Sequence, residues 1–312
     1  MSKPRAESTE AVRVSVPALV QLNQAASGLS LRNARGRARM AGEYISRSKG
    51  RGMEFAESRP YEPGDEIRNL NWRVMARTGK PFTKLFREER ERPIFVWVDL
   101  RDRMFFGTRG TFKAVTAARA AALIAWAAHQ HGDRIGGVIF SDGVHYEIKP
   151  GRGKAAVLYL IRRLAEHPAW DRHALADHDE RSVRDAMIRL RRVVRPGSLV
   201  FLLSDFANLD TVAETNLTQL ARHNELMLML IYDELERELP PPGTYRLSDG
   251  DDEFVLDAAD SGYRKLYAQR FTDRLDGVRG IARRNSMSLL TCRTDEDPFL
   301  VLHQALAANT PL

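Results

Sequence analysis

The stretch IFVWVDLRDRMFFG, residues 94–107, decides how the rest of the chain is read. Ile94–Leu100 is a continuous β-branched and aromatic run, which predicts a strand buried on both faces of a sheet. That strand delivers Asp99 into a loop of the kind that holds metal ions. Positions 101 and 103, where hydroxyl ligands would be wanted, carry arginine.

Downstream, strands alternate with helices. Thr111–His131 is Ala-rich with apolar spacings of three and four, a helix packed on a sheet. Arg134–Phe140 is a second strand, Ser141-Asp142-Gly143 a turn, and Val144–Lys149 pairs back as a hairpin. Helices follow over 153–166 and 179–194, and Pro196-Gly197 ends the second before the strand Ser198–Ser204. A helix at Thr211–His223, a strand at Glu225–Tyr232 and a hairpin over 240–257, turning at Asp249-Gly250, come next. A helix over 259–284, a strand at Ser286–Cys292 and a helix over 297–308 complete the series. Strands joined by helices of this length imply parallel crossovers, so residues 94–312 read as a doubly wound, Rossmann-type α/β domain with a mainly parallel sheet. Functional loops in such folds lie at the carboxyl ends of strands. Asp99 and Asp205 each follow an apolar run directly, and with Ser204 they mark that edge.

The chain has 312 residues, 43% of them hydrophobic, which is enough to bury a proper core. One cysteine, Cys292, allows no disulfide within the chain and points to a reducing compartment. The apolar run Leu226–Tyr232 is too short to span a membrane, and Ala114–Ala128 is interrupted by Arg119. The opening MSKPRAESTEAVRVSVPALV lacks the apolar core of a secretion signal, so a cytoplasmic location is expected. The net charge of +7 is uneven: residues 1–93 hold 19 Lys and Arg against 11 Asp and Glu, and the remainder is near neutral. That excess suits an acidic partner, an anionic lipid or nucleic acid, or else a solvated arm.

Residues 1–93 therefore read as a separate basic segment packed on the α/β domain, with a helix over 15–34 and the Arg-rich run RNARGRARM. Within it, the block over 50–92 is dense in signals. Glu62-Pro63-Gly64-Asp65 is turn chemistry, with Asp65 placed to cap a short helix containing Ile67, Leu70 and Trp72. Arg59, Arg68, Arg73 and Arg77 surround Tyr61 and Trp72. Interleaved arginine and aromatic residues bind single-stranded nucleic acid by stacking and phosphate contact. They equally build a carboxylate–arginine network that fixes a segment in place, and both readings stay open.

Gly52, Glu54, Phe55, Arg59, Tyr61, Gly64, Asp65, Arg68, Trp72, Ala76 and Arg77, followed by FREERER and a strand ending in aspartate, fall in one ordered pattern. In this pattern the chain resembles the bacterial family called domain of unknown function fifty-eight, over residues 40–210. The resemblance implies a von Willebrand factor A-like α/β domain and a partnership with a MoxR-type AAA+ ATPase. It also implies a metal-ion-dependent adhesion site with the pattern D-x-S-x-S, a threonine from a second loop and an aspartate from a third. Asp99, Asp205 and Met104 match that pattern, but Arg101 and Arg103 stand at the serine positions. KPGRGKAAV (149–157), the expected second loop, has no threonine.

Mg²⁺ is therefore disfavoured, and no cofactor is expected; Asp99 and Asp205 would be the ligands if a metal did bind. Either Arg101 or Arg103 pairs with Asp99 or Asp205 in place of the cation, or both face solvent and Asp102 serves a displaced metal.

The expected function is a non-enzymatic interaction module with no catalytic residues. It would act as adaptor between the ATPase and an unidentified client protein, through Asp99–Gly107, Gly151–Lys154 and Ser204–Leu209. The rival is a nucleic-acid-binding protein using Arg32–Arg51 and the arginine–aromatic block. A metal hydrolase using Asp99 and Asp205 is a third, poorer reading. Weaker signals resolve blandly: KPGRGKA is not a phosphate-binding loop, His129 and His131 have no further ligands, and LLSDF lacks a nucleophile elbow. Asp233, Glu234, Glu236 and Glu238 read as a solvated acidic patch.

Overall fold

The run that opens the α/β pattern is buried on both faces because its side chains alternate between two cores. In the computed structural model, which describes residues 10–31, 45–46, 53–88, 92–171, 182–248 and 253–308, Ile94, Val96 and Val98 enter one core and Phe95 and Trp97 the other. The chain divides into two compact units, Met1–Ala34 with Arg92–Leu312, and Arg35–Glu91.

In the larger unit, β4 (Pro93–Asp99), β5 (Arg134–Phe140), β6 (His145–Arg152), β7 (Leu199–Ser204), β8 (Glu225–Tyr232) and β11 (Ser288–Arg293) form one sheet. Their order is β11-β8-β7-β4-β5-β6, parallel throughout except for β6, which pairs antiparallel with β5 at one edge. Between β8 and β11, β9 (Thr244–Ser248) and β10 (Glu253–Asp257) form the expected hairpin, whose turn lies outside the described residues.

Helix α4 (Lys113–Gln130), α5 (Lys154–Ala165) and α10 (Pro298–Ala308) cover one face of the sheet. Helices α6 (Ser182–Val193), α7 (Thr211–Ala221) and α9 (Ser261–Arg284) cover the other. The Ala-rich sequence of α4 lets neighbours approach on every side, and Ala114–Ala128 is buried almost without interruption.

Two expectations for the amino-terminal region need correction. The helix expected over 15–34 is two short pieces, α1 (Val16–Gln21) and α2 (Asn23–Ala26). Ser15 caps the first by accepting from the Ala18 N–H. Chain reversal follows at Gly28, where a Cβ would stand 3.0 Å from the Phe299 ring. The boundary expected at 93/94 is also displaced, because Val14, Leu19, Ala26, Leu29 and Leu31 belong to the core beside α4. The Trp126 Nε1–H donates to the Leu19 carbonyl at 3.1 Å, so these apolar residues are part of the α/β body.

The smaller unit holds three strands that sequence reading did not anticipate. β1 (Ile45–Ser46), β2 (Met53–Pro60) and β3 (Phe82–Glu88) form an antiparallel sheet in the order β1-β3-β2. Between β2 and β3 lies α3 (Trp72–Thr78), which ends at Gly79 with φ 69°. Its cap is Asn71, whose Oδ1 accepts from the Val74 N–H, rather than Asp65. Asp65 instead accepts from the Glu62 N–H, the Arg59 guanidinium and the Thr83 hydroxyl, tying the turn to both strands. The Glu62 N–H, against the opposing effect of burial and helped by Thr83 and Arg59, holds the Asp65 carboxyl below its usual range.

Candidate functional site

Two strands end side by side in buried carboxylates. Asp99 is the last residue of β4, Ser204 the last of β7 and Asp205 the next; all three are at most 1% exposed. An isolated buried carboxylate is strongly unfavourable, so each must be paired and hydrogen-bonded. Arg101 meets the need at Asp99: its Nε donates to Oδ1 at 3.0 Å and its Nη2 to Oδ2 at 2.7 Å. The Arg101 N–H donates to Oδ1 as well, and the Ser204 hydroxyl donates to Oδ2 at 2.6 Å. Arg101 also stands 3.5 Å from Asp205 and donates to the Ala207 carbonyl.

At Asp205 the partner is Lys113, the first residue of α4 and 1% exposed. Its ammonium donates to Asp205 Oδ2 at 3.1 Å and to Glu236 Oε1 at 2.9 Å. A cation at a helix amino terminus opposes the helix dipole, so its place there requires both carboxylates. The loop past Asp205 folds back on itself: the Phe206 N–H donates to Ser204 Oγ and the Ala207 N–H to Asp205 Oδ1. In this loop Phe206 and Asn208 take left-handed backbone, with φ 50° and 61°. Burial alone would raise the Asp205 carboxyl; Lys113, Arg101, the Ala207 N–H and Arg274 outweigh it and hold the group well below the carboxylate range. Burial likewise opposes the Arg101 charge, and the Asp99 and Asp205 carboxylates overcome it and raise its pKa.

Arg103 and Arg274 stand further out, 3.7 and 4.0 Å from Asp205 Oδ2. Glu236 lies in the single turn α8 (Glu234–Arg237), where its carboxylate accepts from the Asp233 N–H and Asp233 caps the turn in return. The reading of 233–238 as a solvated patch is thus corrected at two positions. Asp233 is fully buried and accepts from the Thr108 N–H, the Leu235 N–H and the Thr294 hydroxyl. Burial would raise its carboxyl, and the hydroxyls of Thr108 and Thr294 with the two N–H donors bring it down instead.

These residues do not fit a divalent cation. Both Asp99 oxygens are taken by Arg101, and the ammonium of Lys113 sits directly against Asp205. Mg²⁺ needs hard oxygen ligands left free to converge, not fixed positive charge among them. Among the described residues no group of three or more His, Cys, Asp or Glu is placed to hold a metal. Arg101 thus forms the anticipated substitution by pairing with Asp99, whereas Arg103 is half-exposed at the rim. The Asp102 N–H donates to Asp142. Ser204 is engaged by Asp99 and by the Phe206 N–H, which leaves its hydroxyl tied into the loop.

Not every expected site residue joins this edge. Because β6 runs antiparallel to β5, Gly151 and Arg152 pair with Ile135 and Arg134 at the start of β5. Gly151–Lys154 therefore sits at the opposite end of the sheet from Asp99, a correction to the expected loop face. Arg59, Tyr61, Gly64, Asp65, Arg68, Trp72 and Arg77 belong to the smaller unit. Arg59 pairs with Asp65 there, Gly64 supplies the turn at φ 107°, and Arg68, Trp72 and Arg77 are exposed. The Arg-rich run of 32–44 lies outside the described residues. Lys113, Glu236, Arg274 and Asp233 were missed as members of the cluster, because no local signal marks partners so distant in sequence.

Comparison with known proteins gives relatives without an assigned activity. The chain is 28% identical over 257 residues to the uncharacterized protein Rv1480 of Mycobacterium tuberculosis, covering 82% of this chain and 79% of that one. The uncharacterized protein Mb1516 of Mycobacterium bovis matches to the same extent. Among solved structures, the conserved hypothetical protein BatB of Bacteroides thetaiotaomicron aligns at 10% identity and a TM-score of 0.45, over 70% of this chain and 98% of that one. An aerotolerance-related membrane protein of Bacteroides fragilis aligns with a TM-score of 0.44 at 10% identity, over 70% and 99%. The model for the family described as "Protein of unknown function DUF58" matches residues 57–275, most of both units, and the chain belongs to that family.

Proposed function

We propose that the chain is a non-enzymatic protein-interaction module with a von Willebrand factor A-like domain, acting as adaptor between a MoxR-type AAA+ ATPase and a client protein. The observation that carries this reading is the Arg101–Asp99 pair, with Lys113 on Asp205, where an adhesion-type site would hold its cation. That arrangement supports the reading, because the strand-end loops are assembled by the chain's own charges. The ATPase itself is supplied by the family resemblance, and hydrolysis of ATP belongs to that partner. A cytoplasmic location goes with this reading; among the described residues no helix is long and apolar enough to cross a membrane.

Pull-down with the purified chain tests it. A MoxR-type AAA+ ATPase from the same organism should be captured, and capture should change between ATP-bound and nucleotide-free states. No capture in any nucleotide state would overturn the proposal, and steeply salt-dependent binding to nucleic acid instead would favour the rival reading.

A further inference from the structure

A groove of about 720 Å³ opens beside the charged cluster, between the loop Asp205–Leu209 and helix α9. Phe206, Leu209, Phe271 and Ile281 give it an apolar lining. Arg103 and Arg274 line it as well, and both reach toward Asp205. The oxygen they approach already accepts from Lys113, as does the Glu236 oxygen 3.6 Å from Arg274. Every one of these distances from the two arginines is too long for a hydrogen bond. Among the described residues neither guanidinium donates one, and the Arg274 Nε is buried with no acceptor. Stacking on Phe271, 5.3 Å from guanidinium carbon to ring centroid, holds Arg274 in that position.

The charge count leads the same way. Arg101, Arg103, Lys113 and Arg274 face Asp99, Asp205 and Glu236, so this cluster carries one positive charge in excess. Guanidinium forks with idle donors match a planar carboxylate. On the groove's flank Glu214, Asp273 and Asp276 stand among Arg270 and Arg284, a mixed wall that offers a polyanion no continuous positive surface, while the apolar lining wants side chains rather than phosphates. The site is also preformed, since the Phe206 and Ala207 N–H groups bond back to Ser204 and Asp205 within the loop. Gly277 keeps it open: a Cβ added there meets nothing within 4 Å.

We infer that this groove takes an acidic, apolar-flanked peptide segment of a partner protein, its Asp or Glu carboxylate accepting from Arg103 and Arg274. The inference rests on the interaction-module reading for the existence of that partner. Fluorescence anisotropy on the full chain tests it with fluorescein-labelled acetyl-Ser-Gly-Leu-Glu-Leu-Gly-Ser-amide and the same peptide carrying Gln for Glu. The Glu peptide should bind saturably, and the Gln peptide about tenfold more weakly, one charge-assisted contact's worth. Arg103→Ala should weaken the Glu peptide to a similar degree.

Gly277→Leu fills the groove from a helix interior with free space, so it should abolish binding while leaving the melting temperature unchanged or higher. Absent binding, equal binding of both peptides, or binding indifferent to Gly277→Leu would each overturn the inference. The two readings fail separately. A wild-type chain that captures no ATPase removes the adaptor without touching the anisotropy result, and absent peptide binding removes the groove without touching capture.

Discussion

Arg101 and Arg103 sit two residues apart in the loop after β4, yet they have different environments. Arg101 is 5% exposed and holds Asp99 through two of its nitrogens; Arg103 has a side chain 53% exposed and a 3.7 Å contact. Removing one member of a buried pair strands the other charge, at about 3–5 kcal/mol. Arg101→Ala should therefore lower the urea-unfolding free energy by that much, and Arg103→Ala by less than about 1 kcal/mol. Equal losses would show that the buried pair is not the keystone of the loop. The two aspartates were legible in the sequence because each ends an apolar strand. Lys113 was not, because its partners lie 92 and 123 positions away and only the folded sheet brings them together.

At the level of elements, glycines with opposite surroundings make a paired test. A Cβ on Gly137, within β5, would fall 2.6 Å from the Val96 carbonyl oxygen on the neighbouring strand, whereas one on Gly277 meets open space. Gly137→Ala should cost about 1–3 kcal/mol through overpacking. Gly277→Ala should gain about 0.5–1 kcal/mol from reduced chain entropy in a helix interior. Thermal melts should thus move in opposite directions, and parallel shifts would contradict the packing described. Core strands such as Glu225–Tyr232 were readable to the residue because continuous apolar runs admit few alternatives. β2 was not, since its Glu, Ser and Pro are poor strand formers and pairing with β3 makes it a strand. The misplaced Gly151–Lys154 loop was recoverable in principle: a hairpin at Ser141-Asp142-Gly143 already sends the next strand back to the far edge.

For the molecule as a whole, these buried groups set how stability varies with pH. His167 is fully buried, with Nδ1 accepting from the Ala169 N–H and its ring edge-on to Tyr146 at 4.9 Å. Burial, reinforced by the nearby His145, holds its pKa down from 6.5 to about 4. The neutral ring is the folded form, so its contribution is whole above pH 6.5 and is lost as pH falls toward 4, because the unfolded chain takes up the proton first. Asp205 and Asp233, held below the usual carboxylate range, act in the same direction but lower: their stabilisation is present above about pH 4 and is lost beneath it. Stability should be flat from pH 7.5 to 6.5 and then fall by roughly 2–3 kcal/mol at pH 4.5, almost all from His167. His167→Asn keeps an acceptor for the Ala169 N–H but cannot be protonated, so its urea midpoint should change little over that range. A wild-type midpoint that stays level to pH 4.5, or a variant that falls in parallel with it, would place the acid sensitivity elsewhere.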